Sequence, residues 1–331
     1  MQFYKKKYYL RALINEFIVV LLIMINRILI RIKVLQIVYA YYQKESNDLK
    51  VAENELLLSL RRSYDLYFYF LLLIVDVTRM YERLVETRRN RYQPTDEDRN
   101  PDMRMFNNRL ANQIAENEDL QKYCKEHGIS WADEADFVKK ILEMIMASDI
   151  YADYIKNEED TYETDKEFWR LVFKRLICNS EFVEDFLEEK SIYWNEDIDI
   201  IESFVIKTIK RFSEDMGSKQ ELMPMFNSDD DYDYVVKLFR QTLLNGDKYR
   251  ERIDKHMKNW ESERVANMDM VIMQVALAEI LNFPTIPVNV TLNEYIDAAK
   301  YYSTPKSGTF INGVLDSIVE ELKAEKLLLK N

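Results

Sequence analysis

The sequence predicts an all-α protein made of helical bundles, and three observations carry that expectation. The 331 residues include only 5 Gly and 6 Pro, where average usage would put roughly 12% of a chain in these two types, so turns are few and helices long. Apolar residues recur at helical spacing through most of the chain, and no stretch alternates apolar and polar residues as a half-buried strand does. Hydrophobic residues make up 47% and aromatics 13%, enough for a sizeable core in about two domains and too many for a globally disordered chain.

The first helix is expected over 26–43. Asn47 or Asp48 can cap a second, long helix, on which Leu56, Leu60, Leu66, Phe70, Leu73 and Val77 keep roughly helical spacing. Arg88, Arg89 and Arg91 suit its C-terminal end. The polar stretch Gln93–Pro101 reads as a loop. Further helices are expected near 103–118, 134–156, 165–189 and 197–214. The segment 217–230, with Gly217, Pro224 and three consecutive Asp residues, is the best boundary in the chain. After it, helix 231–245 puts Tyr234, Val235, Leu238, Phe239 and Thr242 on one face, and Gly246 is placed to stop it as a left-handed cap. Helix 268–282 carries Val271, Val275, Ala278 and Leu281 at core spacing. Pro284 and Pro287 then end it and force an extended turn.

Thr291 and Glu294 have capping-box spacing for the next helix. Leu292, Ile296 and Ala299 form its apolar stripe, and Asn293, Asp297 and Lys300 a polar one. By itself that polar stripe reads as a solvated face, with a surface for a partner as the alternative. Ser307-Gly308-Thr309 can cap the last helix, where Phe310, Val314, Leu315, Ile318 and Leu322 form the buried stripe. Inside that helix Gly313 costs about 1 kcal/mol relative to Ala, and Asn312 beside it is a poor helix former. Two unfavourable residues in one turn point to a requirement other than helix stability.

Net charge is −12, which argues against a surface that coats nucleic acid throughout. The first 43 residues nevertheless carry seven basic residues against one acidic. A basic arm on an acidic body suits RNA or a membrane surface. The apolar run Phe17–Ile23 is short for a bilayer before Asn26 and Arg27 interrupt it, and no Ala-x-Ala-like cleavage site follows. Cys124 and Cys178 form no disulfide framework, which fits a reducing compartment. Cys124 and His127 lack a second ligand pair at zinc-site spacing, so no metal is expected. Phe173, Asn179 and Trp194 match Phe239, Asn245 and Trp260 at a constant offset of 66, after either duplication of a helical unit or chance matching of two amphipathic helix pairs.

The stretch 269–322, and above all Asn312-Gly313-Val314 followed by Leu315-Asp316, resembles the C-terminal signature of the NusB transcription antitermination family. Met24-Ile25-Asn26-Arg27, with Arg31, Lys33 and the Gln36-x-x-Tyr39 spacing, resembles that family's basic first helix, so translation is expected to start at Met24 and residues 1–23 to be an upstream extension. The expected organisation is therefore 24–225 as an N-terminal and central helical region, which includes the first family-like helix, and 231–325 as a NusB-like C-terminal bundle. The resemblance is strong over 231–322 and recognisable over 24–43, and residues 45–225 are mostly unmatched and much longer than the family's usual connection. Three roles stay open for that long insert: burying the first helix, extending a partner surface, or self-association into a homo-oligomer.

The resemblance implies a cytoplasmic, non-enzymatic transcription factor without cofactor. Its implied partners are single-stranded boxA-like RNA, the ribosomal protein NusE and transcribing RNA polymerase, with no membrane. By position, Arg27, Arg31 and Lys33 would face RNA phosphates, and Lys306, Ser307, Thr309, Phe310 and Asn312 would lie beside them. Phe310 reads as a base-stacking or a core residue. Asn293, Asp297 and Lys300 would contact the protein partner. Ile28, Leu29 and Ile30 stand where the family clusters arginines, which leaves a second reading: a helical adaptor with weak RNA binding or none. NusB-like domains also occur fused to methyltransferases, but no Gly-rich strand–turn–helix loop for a methyl donor is present here.

Overall fold

A computed structural model of the chain describes residues 27–44, 48–226, 229–257 and 266–328. The expected upstream extension 1–23, its Met24 start and the repeat residue Trp260 lie outside the described residues. Among the described residues every regular element is helical and none is a strand. They divide into two compact units. One comprises residues 61–224, and the other the described residues of 25–60 and 225–331.

Helix α1 (Arg27–Gln43) and helix α2 (Leu49–Arg89) come first. Asp48 caps α2: its Oδ1 accepts the N–H groups of Lys50 and Val51 at 2.8 and 3.1 Å. The six apolar positions at helical spacing on α2 are all buried. Residues 61–89 of α2 then build the first unit with α3 (Asp96–Arg99), α4 (Arg109–Glu116), α5 (Glu118–His127), α6 (Ala135–Met146), α7 (Asp149–Lys156), α8 (Tyr162–Leu171), α9 (Glu181–Lys190) and α10 (Ile198–Arg211).

Several of these helices are shorter than the periodicity predicts, for one recurring reason. The expected helix 103–118 is cut at Asn108 and Asn117, whose side-chain oxygens each accept the N–H three residues on, starting α4 and α5. Ser148 divides 134–156 into α6 and α7 in the same way. Thr161 and Ser180 cap α8 and α9. A short polar side chain that satisfies the backbone locally competes with helix continuation, and an apolar stripe carries no trace of that competition. The loop 93–101 contains one helical turn, α3, held by a reciprocal capping box between Thr95 and Asp98. Between α8 and α9 the backbone widens into a π-helical turn, Val172–Leu176.

The core of this unit is aromatic. Trp131 stacks on Phe137 at 5.1 Å, meets Tyr69 edge-on at 5.0 Å and donates its indole N–H to the Tyr69 carbonyl at 2.9 Å. Phe186 stacks on Phe137 at 3.9 Å and Trp194 meets Tyr69 at 5.4 Å.

The second unit contains α1, residues 49–60 of α2, α11 (Asp229–Leu244), α12 (Gly246–His256), α13 (Asn267–Asn282), α14 (Val288–Tyr302) and α15 (Ser307–Ala324). Helix α13 is its axis, packed by α1, α11, α12, α14 and α15. Every residue from Val271 to Ile280 is buried, while Leu281 is partly exposed. The expected single stripe is therefore an all-round apolar surface, as a central helix requires.

Gly246 is not the left-handed cap that its position predicts; it is the first residue of α12. Its smallness serves contact instead, because a Cβ there would sit 2.5 Å from the Tyr42 hydroxyl, while its carbonyl accepts the Gln274 amide at 2.9 Å. Pro284 and Pro287 do separate α13 from α14. Helix α14 starts at Val288, a turn earlier than a Thr291–Glu294 box would set it.

Candidate functional site

A buried carboxylate organises the second unit. Glu279, on α13, is fully buried. Its two oxygens accept the Arg31 Nε and Nη2 groups at 2.9 and 3.0 Å, the Thr291 hydroxyl at 2.7 Å, the Tyr295 hydroxyl at 3.3 Å and the Tyr234 hydroxyl. Glu294 approaches the remaining Arg31 nitrogen at 3.4 Å. Helices α1, α11, α13 and α14 thus meet on one ion pair. Burial pushes the Glu279 carboxyl up, but the Arg31 charge and the hydrogen bonds from Arg31, Tyr234 and Thr291 outweigh it and hold the group below its ordinary value. Burial also pulls the Arg31 guanidinium down, and the surrounding tyrosines and Glu279 raise it above its ordinary range. Both groups stay charged at neutral pH. Thr291 spends its hydroxyl here, which is why it makes no capping box.

A second clasp starts α15. The Ser307 hydroxyl donates to Asp269 Oδ2 at 2.9 Å and accepts the Thr304 N–H at 3.1 Å. This ties the 303–307 turn to the start of α13. Gly308 lies against α14, where a Cβ would meet Lys300 and Ile296 at 3.5 to 3.7 Å, an ordinary contact distance. Phe310, Ile311, Val314, Leu315, Ile318 and Leu322 are buried. Lys306, Thr309 and Gly313 are exposed, at steps of three and four residues along the solvent side of the helix start, and Asn312 beside Gly313 is half-buried.

Nothing among the described residues lies within 4 Å of a Cβ added at Gly313, so close helix packing does not explain the glycine. Gly313→Ala is therefore expected to stabilise the fold by about 0.5–1 kcal/mol, read as a higher urea midpoint. An unchanged or lower midpoint would mean that the glycine serves the fold itself.

The residues singled out from sequence separate into two groups. Arg27 is half-exposed, 3.9 Å from Asp231, with its guanidinium 5.0 Å from the centre of the Tyr234 ring. Lys306, Thr309 and Asn312 reach solvent. Asn293 and Lys300 are exposed and Asp297 half-buried, with Lys300 and Asp297 paired at 2.6 Å. By contrast Arg31 is 5% and Lys33 2% exposed. Arg31 is held inside by Glu279 and Glu294, so neither side chain presents its charge to solvent. Ser307 and Phe310 are buried as well; Phe310 takes the core role of its two readings. Sequence spacing alone does not bring Glu279, Tyr234, Thr291 and Tyr295 together. One signal was visible: a lone carboxylate in the apolar run Val271–Leu281 demands a buried partner.

Other chemistry is sparse. Among the described residues no group of three or more His, Cys, Asp and Glu is arranged to hold a metal ion, and no helix is long and apolar enough to cross a membrane. The Cys124 thiol is pushed up to about 12 by burial and by Asp76. Reactivity follows the thiolate fraction, so its alkylation by iodoacetamide at pH 8 is expected to be at least tenfold slower than that of a free thiol; labelling at the free-thiol rate would contradict this environment. The His127 ring stacks on Tyr123 at 4.1 Å.

Comparison with known proteins adds a family. The model of the NusB family matches residues 196–320, beginning 35 residues before the position 231 reached by the sequence signature. The Transcription antitermination protein NusB of Salinibacter ruber is 43% identical over 98 residues, covering 30% of this chain and 61% of that protein. Proteins of the same description from Clostridium kluyveri and Dictyoglomus turgidum are 35% and 36% identical over 115 and 117 residues. Each alignment covers 35% of this chain, and 69% and 81% of the relative. No solved structure matches the chain.

Proposed function

The chain belongs to the NusB family, and from that membership we propose that it is a non-enzymatic transcription antitermination factor that binds single-stranded boxA-type RNA together with the ribosomal protein NusE. The observation that carries this reading is the solvent side of the α15 start. Asn312 and Gly313 weaken the helix, and a Cβ at Gly313 would meet nothing within 4 Å among the described residues, so close packing does not require the glycine. A surface reserved for a partner accounts for both. In this reading Arg27, Lys306, Thr309 and Asn312 contact RNA, and Asn293, Asp297 and Lys300 contact the protein partner within the complex formed on transcribing RNA polymerase. Arg31 and Lys33 support the RNA face from within, by fixing α1.

Fluorescence anisotropy with labelled boxA RNA, with and without NusE, tests the reading. Preference for boxA over a scrambled RNA of equal length, increased by NusE, is expected. Lys306→Glu combined with Asn312→Ala should weaken that binding at least tenfold, since charge-assisted phosphate contacts and base-edge contacts are lost together. Absence of boxA preference under both conditions would overturn it.

A helical adaptor without RNA binding is the second reading, and the burial of Arg31 and Lys33 favours it. It requires NusE to bind equally well with and without RNA.

A further inference from the structure

Within residues 61–224 the chain concentrates cations in one place. The segments 166–175 and 203–212 together hold seven basic residues and a single carboxylate, Glu167, in a chain of net charge −12. They belong to α8 with its π-helical turn and to α10, which pack on each other. Lys174, Arg175, Lys210 and Arg211 are exposed and Lys207 is half-buried. None of these five forms an ion pair among the described residues. Glu167 is paired with Arg170, whose Nε lies 2.5 Å from its carboxylate, and it also feels Lys210 and Arg175.

The arrangement is unfavourable for the isolated protein. Lys207, Lys210 and Arg211 share one helix face at three- and four-residue spacing, where like charges repel. Burial, and after it Lys210, lowers the Lys207 ammonium below its ordinary value. The π-helical turn is a second unusual feature, because such turns are rare and gather at functional sites. The Asn179 amide stabilises that turn by donating to the Lys174 and Arg175 carbonyls at 3.0 and 3.2 Å, so these two cations sit on a fixed backbone. Glu167 of α8 acts on Lys210 and Arg175 but is already paired with Arg170, and the cations lie on two elements rather than around one point. A single small anion does not suit that layout; an extended polyanion does.

We propose that the face formed by α10 and the π-helical turn Val172–Leu176 binds the phosphate backbone of single-stranded RNA without reading its sequence. The choice of RNA as the polyanion rests on the antitermination reading above, while the cation cluster stands independently of it. A non-specific face of this kind would hold RNA adjoining the specific element and raise affinity for long transcripts over short ones.

The test uses the full chain and two labelled RNAs, a 30-nucleotide oligo(U) and a boxA RNA with its scrambled control, titrated by anisotropy at several salt concentrations. The variant carries Lys174→Gln, Arg175→Gln, Lys210→Gln and Arg211→Gln, all at exposed positions, and a companion variant with Lys174→Arg and Lys210→Arg keeps the charge. Loss of four phosphate contacts should flatten the slope of log affinity against log salt for oligo(U) by about 2 to 3 and weaken binding at least tenfold at 0.1 M salt, with the companion unchanged. An unchanged slope and affinity in the four-residue variant would overturn the proposal. Displacement of oligo(U) by polyglutamate at equal charge concentration would also overturn it, in favour of an acidic protein partner. If boxA preference is absent while the oligo(U) slope still flattens, the antitermination reading fails and this face stands. If boxA preference persists with an unchanged slope, the reverse holds.

Discussion

Replacing Glu279 with alanine is expected to destabilise the second unit by about 3–5 kcal/mol. The substitution leaves the Arg31 guanidinium buried beside the single half-buried Glu294, and it removes the acceptor of the Tyr234, Thr291 and Tyr295 hydroxyls. Arg31→Met should cost a similar amount for the converse reason. The double variant Arg31→Met/Glu279→Leu should recover most of either loss, because an apolar pair avoids desolvating two charges. Amide hydrogen exchange within α13 and α1 reads the effect directly, since the most protected amides report the opening of the whole packed unit. Equal exchange in wild type and Glu279→Ala would remove the ion pair from any structural role.

The same pair sets an acid limit. Glu279 is held below its ordinary carboxylate value of 4.5, so its contribution is complete above about pH 4.5 and is lost as pH falls through the lower folded value. Glu279→Gln should therefore show a shallower loss of α13 protection between pH 5 and pH 3 than wild type.

Trp131→Ala is the second large effect, expected to destabilise the unit of residues 61–224 by about 3–5 kcal/mol. The side chain is 2% exposed and lies between Phe137 and Tyr69, so its removal leaves a cavity lined by rings that cannot collapse onto one another. The Tyr69 carbonyl also loses its indole donor. Trp131→Phe restores part of the volume but no donor, and should cost about 1–2 kcal/mol. A midpoint of urea unfolding within error of wild type for Trp131→Ala would show that this aromatic cluster does not hold the unit together.

How much of this was legible in the sequence depended on the distance over which each contact acts. The helical class followed from scarce glycine and proline, and the buried stripes of α2 and α15 followed from spacing alone. Helix α5 escaped because Glu118–His127 buries only Leu120 within the helix, too little for a period to register. The interruptions at Asn108, Asn117 and Ser148 are local hydrogen bonds that an apolar pattern does not encode. From sequence, Gly246 and Thr291 look like local signals, a cap and a capping box. Both instead serve contacts with other helices, Gly246 with Tyr42 of α1 and Thr291 with Glu279 of α13.

The largest gap concerned charge. Arg31 reads as an exposed cation from its neighbours, yet its partner Glu279 lies 248 residues further along the chain. Only the folded arrangement distinguishes a cation that reaches for phosphate from one that fixes a helix. The stretch Lys306–Gly313 divides in the same way: Ser307, Gly308, Phe310 and Ile311 are buried in the turn and the core, while Lys306, Thr309, Asn312 and Gly313 reach solvent.

In vitro transcription tests the central claim most directly. A template carrying boxA upstream of a terminator is transcribed by the host RNA polymerase with NusE, in the presence and absence of this protein. The account predicts that adding the protein raises read-through on the boxA template, that a scrambled boxA abolishes the gain, and that Lys306→Glu/Asn312→Ala reduces it. Equal read-through with and without the protein on the intact boxA template would contradict it.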